Sequence, residues 1–298
     1  MAMLFPLLAV LIWAANTIVS KAAAQVLDPA AISLYRWLLA SLVLMPFCLP
    51  AVRRHLGELK RWLPRLLVLA MLGMVMFQCL AYYAAHTTSA TNMGVITALV
   101  PLLGLLLGAA VFRQKVSAMA WLGVAVSFCG VAYLLGQGDP LSLLAHGVNP
   151  GDALMLAGAA AYALYGILLK RWAPPFGSWV NLYLQASLAV LLLLPLTLTA
   201  HSMAIPAKGI GLVLFAGIGS SVMAAYFWMR GIQKLGSERT AIFMNLLPLF
   251  TALLASALLG ETIRHYHWLG GALILLGVAL GQGLLRVRPG LILSFVNK

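Results

Sequence analysis

Two stretches of this chain, SATNMGVITALVPLLGLLLGAAVF (Ser89–Phe112) and GSERTAIFMNLLPLFTALLASALLGE (Gly236–Glu261), decide how the rest is read. Each opens on small or polar residues, turns apolar ahead of a Pro-Leu pair, and continues apolar for about three more turns. A shift of 147 residues lays Pro101-Leu102 on Pro248-Leu249, Trp121-Leu122-Gly123 on Trp268-Leu269-Gly270, and Gly130-Val131 on Gly277-Val278. A shift of 149 lays Lys21 on Lys170, Pro46 on Pro195, and the pair Trp13/Asn16 on Tyr162/Tyr165. Two offsets so close to one another describe one unit present twice.

Composition fixes the solvent of that unit. Of 298 residues 63% are apolar and 8% charged, and the mean hydropathy is +1.01. A soluble domain uses roughly a quarter charged residues, so six acids and nineteen bases cannot cover a water-facing surface. The chain is read as an integral membrane protein. At roughly 20 apolar residues per crossing, its length allows about ten spans and leaves no room for a fused catalytic or nucleic-acid-binding module. The formal charge of +13 falls between apolar runs, where it sets orientation; no nucleic-acid partner is expected. Cys48, Cys79 and Cys129 lie inside apolar runs without close spacing and read as small core residues. The opening run from Met3 to Val26 lacks the basic flank of a secretory signal and is read as a crossing helix.

Breaks at Asp28-Pro29, 53–64, 86–89, 113–117 and 136–150 divide the first half into five apolar runs. Breaks at Pro174-Pro175, 201–208, 234–237 and 264–267 divide the second half likewise. Continuous apolarity over these lengths is helical, because lipid supplies no partner for an open strand. The expected architecture is all-α, ten transmembrane helices arranged as two five-helix repeats, residues 1–138 and 150–288, followed by a short cytoplasmic tail, 289–298. Five is odd, so the second copy is expected upside down.

Charge supports that geometry. With a cytoplasmic N-terminus, fifteen bases fall on the inner side and four on the outer, Lys21, Arg36, Lys208 and Arg264, a strong positive-inside bias. Both termini are expected in the cytoplasm. Inverted repeats are the architecture of secondary carriers, which hold cargo near the midplane and expose it to each side in turn.

The residues that open these helices carry a resemblance. Ser89-Ala90-Thr91-Asn92 with Pro101 and Phe112, Gly236-Ser237-Glu238 through Pro248 to Gly260-Glu261, and Trp13-Ala14-Ala15-Asn16 with Lys21 resemble the EamA-type units of the drug/metabolite transporter superfamily. Two copies span essentially the whole chain. The resemblance implies ten helices in two inverted sets of five. Within the superfamily the chain is most similar to the YddG-type exporters, which implies amino acids, aromatic ones above all, as cargo. The first copy has Gln114 where the second has Glu261, so a role for that acid need not hold in both.

Polar groups deep in apolar helices mark the expected pathway. Asn16 lies about 18 Å along its helix at 1.5 Å per residue, with Trp13 one turn away. It reads either as a cavity-lining group or as interhelical glue. Gln78, Tyr82 and His86 follow at steps of four on one stripe, giving an amide, a phenol and an imidazole without fixed charge, suited to a zwitterion. The other reading makes Tyr82 an interfacial belt residue and His86 a loop residue. Tyr162 and Tyr165 occupy the positions equivalent to Trp13 and Asn16. Tyr226, four residues before Arg230, and Asn245 are expected along the inner part of the passage, with Asn245 alternatively satisfying carbonyls freed by Pro248. Substrate-binding positions are therefore expected at Trp13, Asn16, Gln78, Tyr82, His86, Tyr162, Tyr165, Tyr226 and Asn245. Pro101 and Pro248 are expected to bend their helices and to serve as hinges, or as fixed kinks. The pairs Gly104/Gly108 and Gly277/Gly281 read as close-packing faces.

The six acids, Asp28, Glu58, Asp139, Asp152, Glu238 and Glu261, all map to loops or helix ends. Without an acid at mid-depth, facilitated export down a gradient is the first expectation; proton-coupled export of drugs or other metabolites is the alternative, and a pore a more distant one. The six histidines sit in or beside connections, with no H-E-x-x-H or G-x-S-x-G context, so no enzyme, cofactor or metal site is expected. The expected protein is an inner-membrane carrier of small neutral amino acids, its partners the cargo and the lipid bilayer; the residues leave the oligomeric state open, with a monomer favoured.

Overall fold

The computed structural model describes residues 2–113 and 116–282, and every regular element among them is helical. Besides the short surface helix Ser142–His146 and the 3₁₀ turns, the helices are α1 (Leu4–Ala23), α2 (Pro29–Arg54), α3 (Leu56–Ala84), α4 (Ala90–Thr97), α5 (Val100–Phe112), α6 (Ala118–Leu135), α7 (Pro150–Trp172), α8 (Ser178–Leu193), α9 (Ala207–Leu235), α10 (Ser237–Ile242), α11 (Leu247–Leu259) and α12 (His265–Gly281). Eight spans are long and apolar enough to cross a bilayer, and the bent pair α4–α5 makes a ninth. The apolar α12 has 17 residues, short of the roughly 20 that a crossing needs. Gln114, Lys115, Arg286, Arg288 and the segment 289–298 lie outside the described residues.

The breaks fall where side chains can cap a helix. Asp28 accepts from Ala30 N through Oδ1, ahead of Pro29, Ser89 from Asn92 N, Ser117 from Ala120 N, and Asn149 from Gly151 N, ahead of Pro150. Each side chain satisfies one of the amides a helix start leaves orphaned. Of the two expected proline bends the first is present: Pro101 lies in the first turn of α5, 43° off the axis of α4; Pro248 opens α11 after the 3₁₀ turn Phe243–Leu246, within Arg239–Leu259, which counts as one span without such a bend.

Contacts define two ends. At one, Lys234 Nζ lies 5.8 Å from the Phe5 ring, Arg171 packs over Phe112, and Phe176 meets His55 and Trp62 edge-on. We call it the basic end, since eleven of the described bases gather there. At the other, Lys21 Nζ donates to Ala85 O and Thr88 O, each at 2.7 Å, His201 N donates to Asp28, and Tyr35 Oη donates to Met203 O.

The helices α6 and α12 cross in backbone contact. A Cβ built on Gly130 would lie 2.8 Å from Gly270 O, and one on Gly123 would collide with Gly277 O. Between them Ser127 donates to Ile274 O at 3.0 Å. The two helices therefore run antiparallel, and residues 147 apart exchange partners across the crossing. Gly277 packs as expected, whereas a Cβ on Gly104 would meet nothing within 4 Å, so that glycine closes no helix pair. Cys48 and Cys79 are buried but Cys129 is exposed, which corrects its reading as a core residue: it lies on the outward face of α6.

Both third helices contain a π-helical stretch, Ala70–Met76 in α3 and Phe215–Met223 in α9. A shift of 147 carries the first into the second. Such i→i+5 turns widen a helix and concentrate at functional sites. Ser221 uses the wider turn to donate to Ala216 O, five residues back.

Candidate functional site

The two π-helical stretches face each other across a cavity of about 220 Å³. This is smaller than the roughly 300–1,000 Å³ of pockets that hold drug-sized ligands. Trp13 and Asn16 of α1, Gln78 of α3, and Tyr162 and Tyr165 of α7 line it. Five of the nine expected positions thus meet in one chamber, with both halves of the chain contributing.

The chamber is not uncharged. Arg36, placed by the sequence reading with the outer-side bases, is 3% exposed and lines the cavity. Its Nε donates to Ser221 Oγ at 2.8 Å and its Nη2 to Ser220 Oγ at 3.0 Å. Its Nη1 reaches Gln78 Oε1 at 3.0 Å, Asn16 Oδ1 at 3.1 Å and Tyr82 Oη at 3.1 Å. The guanidinium also lies 5.2 Å from the Trp37 ring centre. Every partner is a neutral oxygen, and among the described residues no carboxylate lines the cavity. An ion held in a low-dielectric site without a counter-ion costs several kcal/mol, and intramembrane ionisable groups mark substrate or ion paths. Removing Arg36 from the outer count leaves fifteen bases against three, so the bias survives the correction.

Tyr82 is 2% exposed and stands behind the chamber wall, its hydroxyl turned to Arg36; burial at this depth sets aside the belt reading. The rest of the lining is rich in aromatic rings. Tyr162 and Tyr165 stack with centroids 5.3 Å apart, and Phe77 lies 4.6 Å from Tyr162. A Cβ on Gly73 would come within 2.7 Å of the Tyr165 ring, so the glycine of one π-helical stretch makes room for that ring. Trp13 does the equivalent at the other, donating from Nε1 to Ser220 O at 3.2 Å.

Three expected positions lie elsewhere. His86 is exposed in the turn after α3, two residues beyond the helix that would have kept it on the stripe. Tyr226 is 39% exposed, stacks on Trp179 and accepts from Arg230 Nε at 3.2 Å; Arg230 reaches toward the basic end rather than the chamber, as long cations do. Asn245 sits in the 3₁₀ turn, whose tighter winding presents Met244 and Leu247 to the cavity instead.

Beyond the chamber, toward the end opposite the basic one, the two halves of the chain are tied together. Glu261 accepts from Ala90 N at 2.8 Å, from Thr91 N at 3.0 Å and from Thr91 Oγ1 at 2.7 Å. It thereby caps α4 from the second half of the chain, with a carboxylate at the positive end of the helix. Asp152, 4% exposed, accepts from Thr88 Oγ1 and Asn92 Nδ2.

The chain matches the EamA-like transporter family over residues 1–136 and 149–281. It is 29% identical over 282 residues, 92% of its length and 94% of the relative's, to a protein of Archaeoglobus fulgidus named only as an uncharacterized transporter. It is 25% identical to the uncharacterized transporter YyaM of Bacillus subtilis, over 87% of this chain and 86% of that one. With the uncharacterized inner membrane transporter YedA of Escherichia coli K12 it shares 24% identity, over 94% and 90%. A solved crystal structure superimposes with a TM-score of 0.64 at 20% identity, over 96% of this chain and 97% of that one, a likeness of fold.

Proposed function

This chain belongs to the EamA-like transporter family, within the drug/metabolite transporter superfamily, and on that premise we propose that it exports small neutral amino acids, aromatic ones included, by alternating access. The observation that carries the proposal is the chamber: one small cavity, lined from both halves of the chain, that holds a fixed cation and a pair of stacked tyrosines. A cargo with a carboxylate and a flat apolar side chain engages the cation and the rings at once.

The antiparallel crossing of α6 and α12 supports an inverted pair of five-helix units, as do the two matched stretches of sequence and the equivalent π-helical segments. Ten spans follow if α12 crosses as well. In this arrangement the halves rock about the chamber, Pro101 and Pro248 provide the hinges, and Glu261 latches the end opposite the basic one. The bias of bases supports a cytoplasmic basic end, with both termini on that side of a bacterial-type inner membrane. No chamber carboxylate is present among the described residues to take up a proton with the cargo, which supports facilitated movement down a gradient.

Counterflow in proteoliposomes tests the proposal. Vesicles preloaded with unlabelled amino acid should accumulate labelled phenylalanine or tryptophan transiently, to the same extent with and without a pH gradient. Indifference to every amino acid refutes the cargo, and accumulation that requires the pH gradient refutes the facilitated mechanism.

A further inference from the structure

We infer that the Arg36 cradle is a receptor for one carboxylate of the cargo, and that the ammonium of an amino acid is tolerated there without being recognised, so that flat aromatic monocarboxylates lacking an amino group are cargo too. This rests on the reading that cargo sits in the chamber.

The first argument is charge. Arginine stays protonated, and the five acceptors around Arg36 hold it in place without neutralising it. Nη1, with two protons, faces three of those acceptors, while Nη2, also with two, has one, Ser220 Oγ. The fork thus keeps an N–H on Nη2 beyond its contact with Ser220, at a group that lines the cavity. A carboxylate oxygen is the acceptor that makes the strongest bond to such a cationic N–H, because the bond is charge-assisted from both sides.

The second argument is what the rest of the lining lacks. Trp13, Phe77, Tyr162 and Tyr165 offer rings and hydroxyls. Among the described residues the acids are engaged elsewhere: Asp28 on Ala30 and His201, Asp139 on Leu141, Asp152 on Thr88 and Asn92, and Glu261 on α4; Glu58 is exposed at the basic end. A carboxylate therefore meets a full opposite charge, whereas an ammonium meets only ring faces, a weaker partner.

The third argument is the broken symmetry of the repeat. The offset of 149 that carries Asn16 onto Tyr165 carries Arg36 onto Gln185. Gln185 is 1% exposed and its amide approaches the Tyr165 hydroxyl. One copy thus provides a cation and the other a neutral amide at the equivalent site, so the chamber balances one negative charge and not two.

The test uses the purified full chain in lipid nanodiscs, with quenching of tryptophan fluorescence as readout, since Trp13 and Trp37 line the chamber. The probes are phenylalanine, 3-phenylpropanoate, phenylethylamine and phenylsuccinate. The inference predicts that 3-phenylpropanoate binds at least as tightly as phenylalanine. Phenylethylamine should bind at least about 30-fold more weakly, the lower bound for losing one partner of a buried charge pair, and phenylsuccinate should also bind more weakly than 3-phenylpropanoate. In Arg36→Gln the preference for acid over amine should vanish; the ligand series on the unaltered protein decides the matter even if that variant does not fold. An amine that binds as tightly as the acid overturns the inference, as does failure of both acids to bind. If phenylalanine is exchanged in counterflow but 3-phenylpropanoate does not bind, the carrier reading stands and the receptor falls. If the acids bind but no amino acid is exchanged, the receptor stands and the amino acid reading falls.

Discussion

Replacing Gly277 by alanine should force apart the helix pair on which the antiparallel arrangement turns. A Cβ there would collide with Ser127 Oγ and Gly123 O and lie 2.7 Å from Ser127 N. Two of these atoms are backbone and cannot rotate away. Inserting one methyl into a filled contact costs about 1–3 kcal/mol. Moving Ser127 aside also strains its bond to Ile274 O, worth about 0.5–1.5 kcal/mol. Alanine regains about 0.8–1.0 kcal/mol of helix propensity over glycine, so the change has to be compared with a glycine on the same helix that has room. Gly271 is that control: its Cβ would meet only Val95 Cγ2, at 4.0 Å. Propensity cancels between the two variants, and Gly277→Ala should be less stable than Gly271→Ala by about 1.5–4.5 kcal/mol, the sum of the two losses. Reversible unfolding in mixed lipid–detergent micelles measures that difference. Equal stability of the two variants, within about 0.5 kcal/mol, would show that α6 and α12 do not touch at Gly277, and the case for an inverted pair would lose its geometric support.

Further predictions concern the chamber and its closures. Gly73→Ala should push the Tyr165 ring into the cavity, since its Cβ would lie 2.7–2.9 Å from three ring atoms; competition binding should then show tryptophan losing affinity more than alanine, and an unchanged ratio would mean that the ring does not border the cargo. Glu261→Ala removes the acceptor of three hydrogen bonds at the start of α4, and hydrogen bonds to charged groups are worth about 1.5–3 kcal/mol each. Amide exchange at Ala90 and Thr91 should accelerate at least about tenfold, and exchange at the unmodified rate would argue against a latch. Pro101→Ala and Pro248→Ala should slow counterflow and shift labelling toward one side; transport and labelling that match the unaltered protein would make both prolines fixed kinks.

Much of the scaffold is legible in the residues because each break carries its own local chemistry. Asp28-Pro29, Ser89, Ser117 and Asn149-Pro150 end or begin helices by capping, and such signals depend on neighbours in sequence. The chamber is legible only in part, because it depends on turns that depart from 3.6 residues. Gln78 and Tyr82 lie one α-turn apart and both reach Arg36, whereas Tyr226 follows the π-helical stretch of α9, which rotates later residues off the register that simple spacing assumes. Arg36 was hidden by a count that assigned every base to a connection. It lies seven residues into α2, about 10 Å deep at 1.5 Å per residue, and depth along the helix would have separated it from Lys21. The serines that cradle it, Ser220 and Ser221, carry no spacing signal, since their contact with Arg36 spans some 185 residues.

Cysteine labelling inside the chamber tests the central claim most directly. Thr97 lines the cavity from α4 and its hydroxyl bonds only to its own helix, at Met93 O, so Thr97→Cys in a background free of Cys48, Cys79 and Cys129 places one thiol beside the cargo. The account predicts that an impermeant thiol reagent reaches this cysteine from either side of the membrane in turn, that saturating aromatic monocarboxylate protects it, and that Arg36→Gln abolishes the protection. A thiol reached from both sides at once, or one that no carboxylate protects, would contradict it.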